Sequence, residues 1–287
     1  MKRAQRISLV LGSGGARGLA HIGIIRYLLE HGYEIASVSG CSMGALIGGF
    51  YAAGALEAYE TWVKELDAFD IIPLLDVDGE GGLAKGDKLM RRLAEIMGGD
   101  RRIEDLPIPF TAVATDIDEE KEVWLQQGSL IEAIRASIAI PMLFAPLYKG
   151  GKRLVDGGVL NPVPIAPTFG DNTDLTVAVN LGGEPARRNL LGSPTHKETQ
   201  LVDKLKAYIS KLTLQSAVFE NAIFAVANRS FDTMQSNLSG MKLAAYPPDA
   251  EITVPRDLCG MLEFNRAEEI IAYGYEKAKE TLGGMLR

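Results

Sequence analysis

Apolar positions along this chain follow two periods, and their order predicts the architecture. Short unbroken runs read as buried strands: Ile7–Leu11, Glu34–Val38, Phe110–Thr115, Glu122–Leu125 and Asp174–Asn180. Helical patterns separate them. One helix begins near Ala16 and ends at His31–Gly32, a second runs over Ala45–Ala53 to Gly54, a third over Leu56–Phe69, and a fourth over Ser129–Ile138. Strands alternating with helices predict an α/β fold, with a mostly parallel sheet covered on both faces. The character changes from about Gly182, first to a polar loop, then to a helical pattern from Leu201 toward Met241, and then to a helix over Glu263–Leu282. Leu205, Tyr208, Ile209, Leu212, Val218, Phe219, Ala222, Ile223 and Val226 recur at helical spacing, and core packing is their default role. The division expected is an α/β core over 5–182 and a mainly helical part over 183–287, packed on the same domain.

The candidate chemistry sits where strands end. Gly40-Cys41-Ser42-Met43-Gly44 falls between a strand and a small-residue helix. In a Gly-x-Ser-x-Gly elbow the glycines relieve crowding in a sharp turn, and the serine projects over a helix N-terminus. Helix capping is the plain alternative for Ser42. Some two dozen residues earlier, a strand leads into Gly12-Ser13-Gly14-Gly15-Ala16-Arg17-Gly18, whose backbone N–H groups can converge on an anion. That anion is either a phosphate or the oxyanion of an acyl-transfer intermediate. A dinucleotide fingerprint fits poorly: the sixth position from Gly12 is Arg17, and no acidic residue closes the second strand.

A serine nucleophile needs a base. His21 and His31 lie in and at the end of the first helix, where structural roles are expected, and His196 lies in a polar loop. Asp156, in Arg153-Leu154-Val155-Asp156-Gly157-Gly158, ends a short strand and is the better base, although Asp-Gly is also a common turn dipeptide. Cys41 is expected to turn inward as a small hydrophobe.

The glycine-rich loop at Gly14, Gly15, Arg17 and Gly18, the elbow at Gly40, Ser42 and Gly44, and the Asp-Gly-Gly at Asp156, Gly157 and Gly158 together resemble the patatin-like phospholipase family. Arg135–Pro141 is similar to a further block of that family, and the likeness extends over about the first 180 residues. Ser13 departs from it, standing where many members carry a glycine; Gly12, Gly14 and Gly15 flank it. The resemblance implies a three-layer fold, a Ser42/Asp156 dyad, and an oxyanion hole at Gly14 and Gly15 with Arg17. It implies hydrolysis of phospholipid, lysophospholipid or fatty-acyl esters through an acyl-enzyme, without a cofactor or metal. Arg17 either orients the loop, binds a phosphate head group or forms a salt bridge. An ordinary aspartate is a weaker base than histidine by about 2.6 pKa units, or about 3.5 kcal/mol, so burial of Asp156 or oxyanion donors must compensate.

Composition narrows the partners. The 287 residues carry a formal charge of −7, which disfavours nucleic acid and gives no general attraction to anionic membranes. No apolar run reaches the ~18 residues of a membrane span, and Ile7–Leu11 is too short for a signal peptide, so a cytoplasmic enzyme is expected, with local contact at a membrane surface. Ile71–Leu75 is either a lid or a linker tucked on the core; Leu190 and Leu191 are a weaker candidate for lipid contact. Cys41 and Cys259 fit neither a disulfide framework nor a metal site. A short-chain esterase, thioesterase or acyltransferase would use the same dyad. A nucleotide-binding regulator and a catalytically silent lipid-binding protein are the alternatives from other classes, and a homo-oligomer is compatible with all of them.

Overall fold

A computed structural model describes residues 4–66, 73, 74, 76, 83–191 and 217–284, with side chains of 217–225 outside the description. The central sheet contains β1 (Gln5–Leu11), β2 (Tyr33–Cys41), β3 (Phe110–Asp116), β4 (Lys121–Leu125), β5 (Leu147–Lys149), β6 (Lys152–Asp156), β7 (Leu175–Gly183) and β8 (Ala250–Pro255). Strands β3, β2, β1, β7 and β8 form a parallel centre. Antiparallel β4 covers the far edge of β3, antiparallel β6 continues along the same edge of β3 as β2, and β5 pairs with β6.

The helices are α1 (Ala20–Glu30), α2 (Met43–Ala52), α3 (Leu56–Glu65), α4 (Asp87–Met97), α5 (Leu130–Ser137), α6 (Ala217–Ala245) and α7 (Ala267–Leu282). Alternation along the strands sends side chains to the two faces of the sheet. Ile7, Leu9, Leu11, Val177 and Val179 join Ile24 of α1, Phe50 of α2 and Ile270 of α7. On the other face Val10 and Ala178 meet Val163, Ile165 and Leu243 of α6.

Several boundaries differ from those read in the sequence. The segment after Ala16 is first a 3-10 turn (Gly15–Leu19), because Gly15 has φ +57 and Ala16 N–H donates to Met261 O; α1 begins only at Ala20. Helix α4 and strands β5 and β8 were not anticipated, and β8 places part of the helical C-terminal half inside the sheet. Leu190 and Leu191 are partly buried against the core, and Leu191 O accepts from Arg266. Val226 is 66% exposed, which corrects its assignment to the core; the side chains of Leu205, Tyr208, Ile209, Leu212, Val218, Phe219, Ala222 and Ile223 lie outside the described residues, as does His196.

Helices α1 and α7 cross at backbone contact. A Cβ on Gly23 would lie 1.9 Å from Ile271 O, and one on Gly274 would lie 2.1 Å from Ala20 O. Neither neighbour is a flexible side chain, so the helices must separate to admit a methyl group. Gly274→Ala is expected to lower the unfolding free energy by about 1–3 kcal/mol, read as a drop in the urea midpoint without a change in slope.

Candidate functional site

The site is assembled on one edge of β3. Residues 114–116 pair with β4 and with β6, so these partners occupy opposite edges; β4 also pairs with residues 112 and 113, which leaves β2 on the β6 edge. Strands β2 and β6 therefore meet nearly end to end along β3. Val113 faces Cys41 and the next residue, Ala114, faces Asp156. The serine that follows Cys41 is thereby brought to the aspartate that ends β6.

Ser42 sits between β2 and α2 with φ 55 and ψ −121, a region that costs an L-residue about 1–3 kcal/mol. Close packing fixes the turn, since a Cβ on Gly44 would lie 2.0 Å from Leu11 O and one on Gly40 would lie 2.4 Å from Gly44 O. Ser42 N–H donates to Ser137 Oγ at 2.9 Å, and the Ser137 hydroxyl donates to Val113 O at 2.6 Å. The Ser42 hydroxyl donates to Asp156 Oδ2 at 2.6 Å, and Gly158 N–H donates to Oδ1 at 2.7 Å. Asp156 N–H donates to Ala139 O, so the carboxylate is held from both sides of its backbone. Gly157 lies so close to β3 that a Cβ there would be 2.2 Å from Val113 O.

Asp156 is fully buried. Burial pushes its pKa from 3.8 up to about 7, against the opposing hydrogen bonds from Ser42, Gly158 and Cys41. Its basicity thus approaches that of histidine. The Cys41 thiol, 3.9 Å from Asp156 Oδ1, is pushed well above its ordinary range by burial and by that carboxylate. It is held as the neutral thiol, inward as expected; Cys259 is also buried, and both are free. His21 is buried, with its pKa lowered to about 4 by desolvation, and its Nε2–H donates to Gly12 O at 2.9 Å. His31 Nδ1–H donates to Tyr27 O, and the two rings stack.

The glycine loop lies beside the elbow, with Gly18 packed so near Met43 that a Cβ would be 2.4 Å from Met43 Cβ. Gly12, Ser13 and Ala16 donate their N–H groups to Val179 O, Pro162 O and Met261 O. Among the described residues, the N–H groups of Gly14 and Gly15 meet no protein acceptor. Arg17 is buried and spends its guanidinium on Gly14 O (2.9 Å), Arg256 O (2.5 Å) and Asp232 Oδ1 (2.9 Å). Because a trans peptide sets its C=O and N–H in opposite directions, the hold on Gly14 O turns Gly15 N–H away from Arg17. Of the three roles open to Arg17 from sequence, orientation of the loop matches these contacts, with a half-buried ion pair behind it.

Ser42 and Gly15 share the wall of an apolar pocket. Leu46 of α2, Trp62 and Val63 of α3, Leu93 of α4, Phe144 and Phe264 supply much of the remainder, and Leu74 from the Ile71–Leu75 run also lines it. No aspartate, glutamate, lysine or arginine lies among the described lining residues. Sequence reading missed this pocket, although Leu89 and Leu93 of its wall recur at helical spacing in α4. It also gave Ser137 no role.

A family model described as patatin-like phospholipase matches residues 9–169. An NTE family protein of Mycobacterium tuberculosis is 40% identical over 96% of this chain and 91% of its own length. Patatin-like phospholipase domain-containing protein 6 of Homo sapiens is 27% identical over 98% of this chain, which spans 20% of that protein. VipD from Legionella pneumophila matches in structure with a TM-score of 0.60 at 18% identity, covering 98% of this chain and 67% of its own; that likeness concerns the fold alone.

The native state holds the Asp156 proton more tightly than the unfolded chain does. Its contribution to stability therefore falls as pH rises from about 4 to about 7, and is level above that. Asp156→Asn is expected to lose this pH dependence and to exceed the wild type in stability at pH 8, measured by urea unfolding at pH 5 and pH 8. A variant less stable than wild type at pH 8 would contradict the buried-carboxylate account.

Proposed function

The chain belongs to the patatin-like phospholipase family, and from that premise we propose that it is a serine lipid acyl hydrolase acting through a Ser42/Asp156 dyad. The observation that carries the reading is the 2.6 Å hydrogen bond from Ser42 Oγ to a buried Asp156 whose pKa is raised to about 7, beside a pocket whose described lining residues carry no charge. Such a pocket suits a fatty-acyl chain and offers nothing to a nucleotide phosphate. Phospholipid and lysophospholipid esters are the substrates assigned. Among the described residues no helix is long and apolar enough to cross a membrane.

Ser42 Oγ attacks the ester carbonyl as Asp156 takes the hydroxyl proton. The carbonyl oxygen gains the negative charge, and the N–H groups of Gly14 and Gly15, unpaired among the described residues, are the donors assigned to it, each worth about 2.7–4 kcal/mol. Collapse of this intermediate breaks the bond to the leaving oxygen, which takes the proton back from Asp156. Water then attacks the acyl-enzyme with Asp156 again as base, releasing the fatty acid and restoring Ser42. Neither step needs a metal or cofactor. Arg17 takes part only through the loop it orients.

Labelling with a fluorophosphonate, followed by peptide mapping, is expected to place the adduct on Ser42 and to be lost in Ser42→Ala. The labelling rate is expected to rise with pH through about 7 and then level off, as Asp156 gives up its proton. Asp156→Asn is expected to stay folded and to lose turnover. Labelling elsewhere, or an active Asp156→Asn, would overturn the dyad; a screen across phospholipids, lysophospholipids, short esters and thioesters then separates the acyl-transfer alternatives.

A further inference from the structure

We propose that α6, which lies beyond the matched residues 9–169, positions both loops flanking Ser42, with Gln235 as its central positioning residue. This rests on the Ser42/Asp156 reading above. Asp232, Gln235, Ser236, Ser239 and Lys242 recur at helical spacing and present a polar face to the sheet end. Asp232 pairs with Arg17, which holds Gly14 O and so sets the Gly14–Gly15 peptide. Ser236 donates to Gly182 O, and Lys242 pairs with Glu122 on β4.

Gln235 stands between the two halves of the site. It is only 7% exposed, and both atoms of its amide lie within 3.3 Å of Ser13 Oγ, next to Gly14. Its Nε2 is 2.0 Å from the point a Cβ on Gly158 would occupy, and that point is 3.0 Å from Asp156 Oδ1. The amide thus fills the space that any side chain at 158 would need, against the peptide whose N–H holds Asp156 Oδ1. One side chain therefore bears on the oxyanion loop and on the carboxylate's backbone support, without itself contacting the reacting atoms. Movement of either loop by about 1 Å is enough to cost on the order of 100-fold in rate.

The test uses the whole chain with Gln235→Leu, Ser13→Ala and the pair combined, assayed on a soluble p-nitrophenyl ester with active sites counted by fluorophosphonate. Each single variant is expected to lower kcat per labelled site by roughly 10- to 100-fold. KM should stay within about threefold and the melting temperature close to wild type, with the pair no worse than Gln235→Leu alone. A folded Gln235→Leu with wild-type kcat per labelled site, or a loss explained wholly by fewer labelled sites, would overturn the proposal. Should Gln235→Leu fail to fold, Ser13→Ala decides, because it leaves α6 untouched. Absence of labelling in the wild type would instead overturn the dyad, and with it this inference.

Discussion

The register of β3 is the constraint on which the site depends. Two strands that approach from opposite directions share one of its edges, and consecutive residues, Val113 and Ala114, face Cys41 and Asp156. Strand register moves side chains from one face to the other with every single step, so a slip by one residue would remove the carboxylate from the serine altogether. Ser137 reinforces this register at its critical point, because its hydroxyl joins the carbonyl of Val113 to the N–H of Ser42. Sheet and elbow are therefore held by one side chain from the C-terminal end of α5.

What gathers at that point is locally unfavourable. Among the described residues, Ser42 has a strained backbone, Asp156 is buried with no cationic hydrogen-bond partner, and the N–H groups of Gly14 and Gly15 are unpaired, each worth about 1–3 kcal/mol when buried. The surrounding structure must over-determine the arrangement. It does so through backbone contacts rather than bulky side chains: Gly44 against Leu11, Gly157 against Val113, and Gly23 and Gly274 between α1 and α7. Each such contact leaves the chain few alternative positions, and rigid placement is what a hydroxyl and carboxylate need to react together.

Local chemistry was legible in the sequence, and distant pairing was not. The glycine loop, the elbow and the strand ending on Asp156 announce themselves because each requires particular residues within a few positions. That Asp156 meets Ser42 across 114 residues of chain follows only from the pairing of β6 with β3. Burial likewise decides the pKa of Asp156, and no neighbour in sequence reveals it. Some misses had a signal. Strand β8 alternates buried Ala250, Ile252 and Val254 with more exposed residues, but six residues within a helical region are easily passed over. Gln235 had none: a glutamine in a helix is ordinary until the loops beneath it are seen.

The place of β8 in the sheet bears on how this chain can be divided. It covers the outer edge of β7, while α7 lies across α1 with glycine contacts on both sides. A fragment ending near Gly183 would keep every residue of the dyad and the oxyanion loop, yet would present β7 as an open, largely apolar strand edge and uncover one face of α1. Such an edge recruits other chains. The span that carries the family signature therefore leaves out strand β8 and helix α7, which cover the edge of β7 and a face of α1, so excising it would yield a chemically complete piece with both surfaces bare.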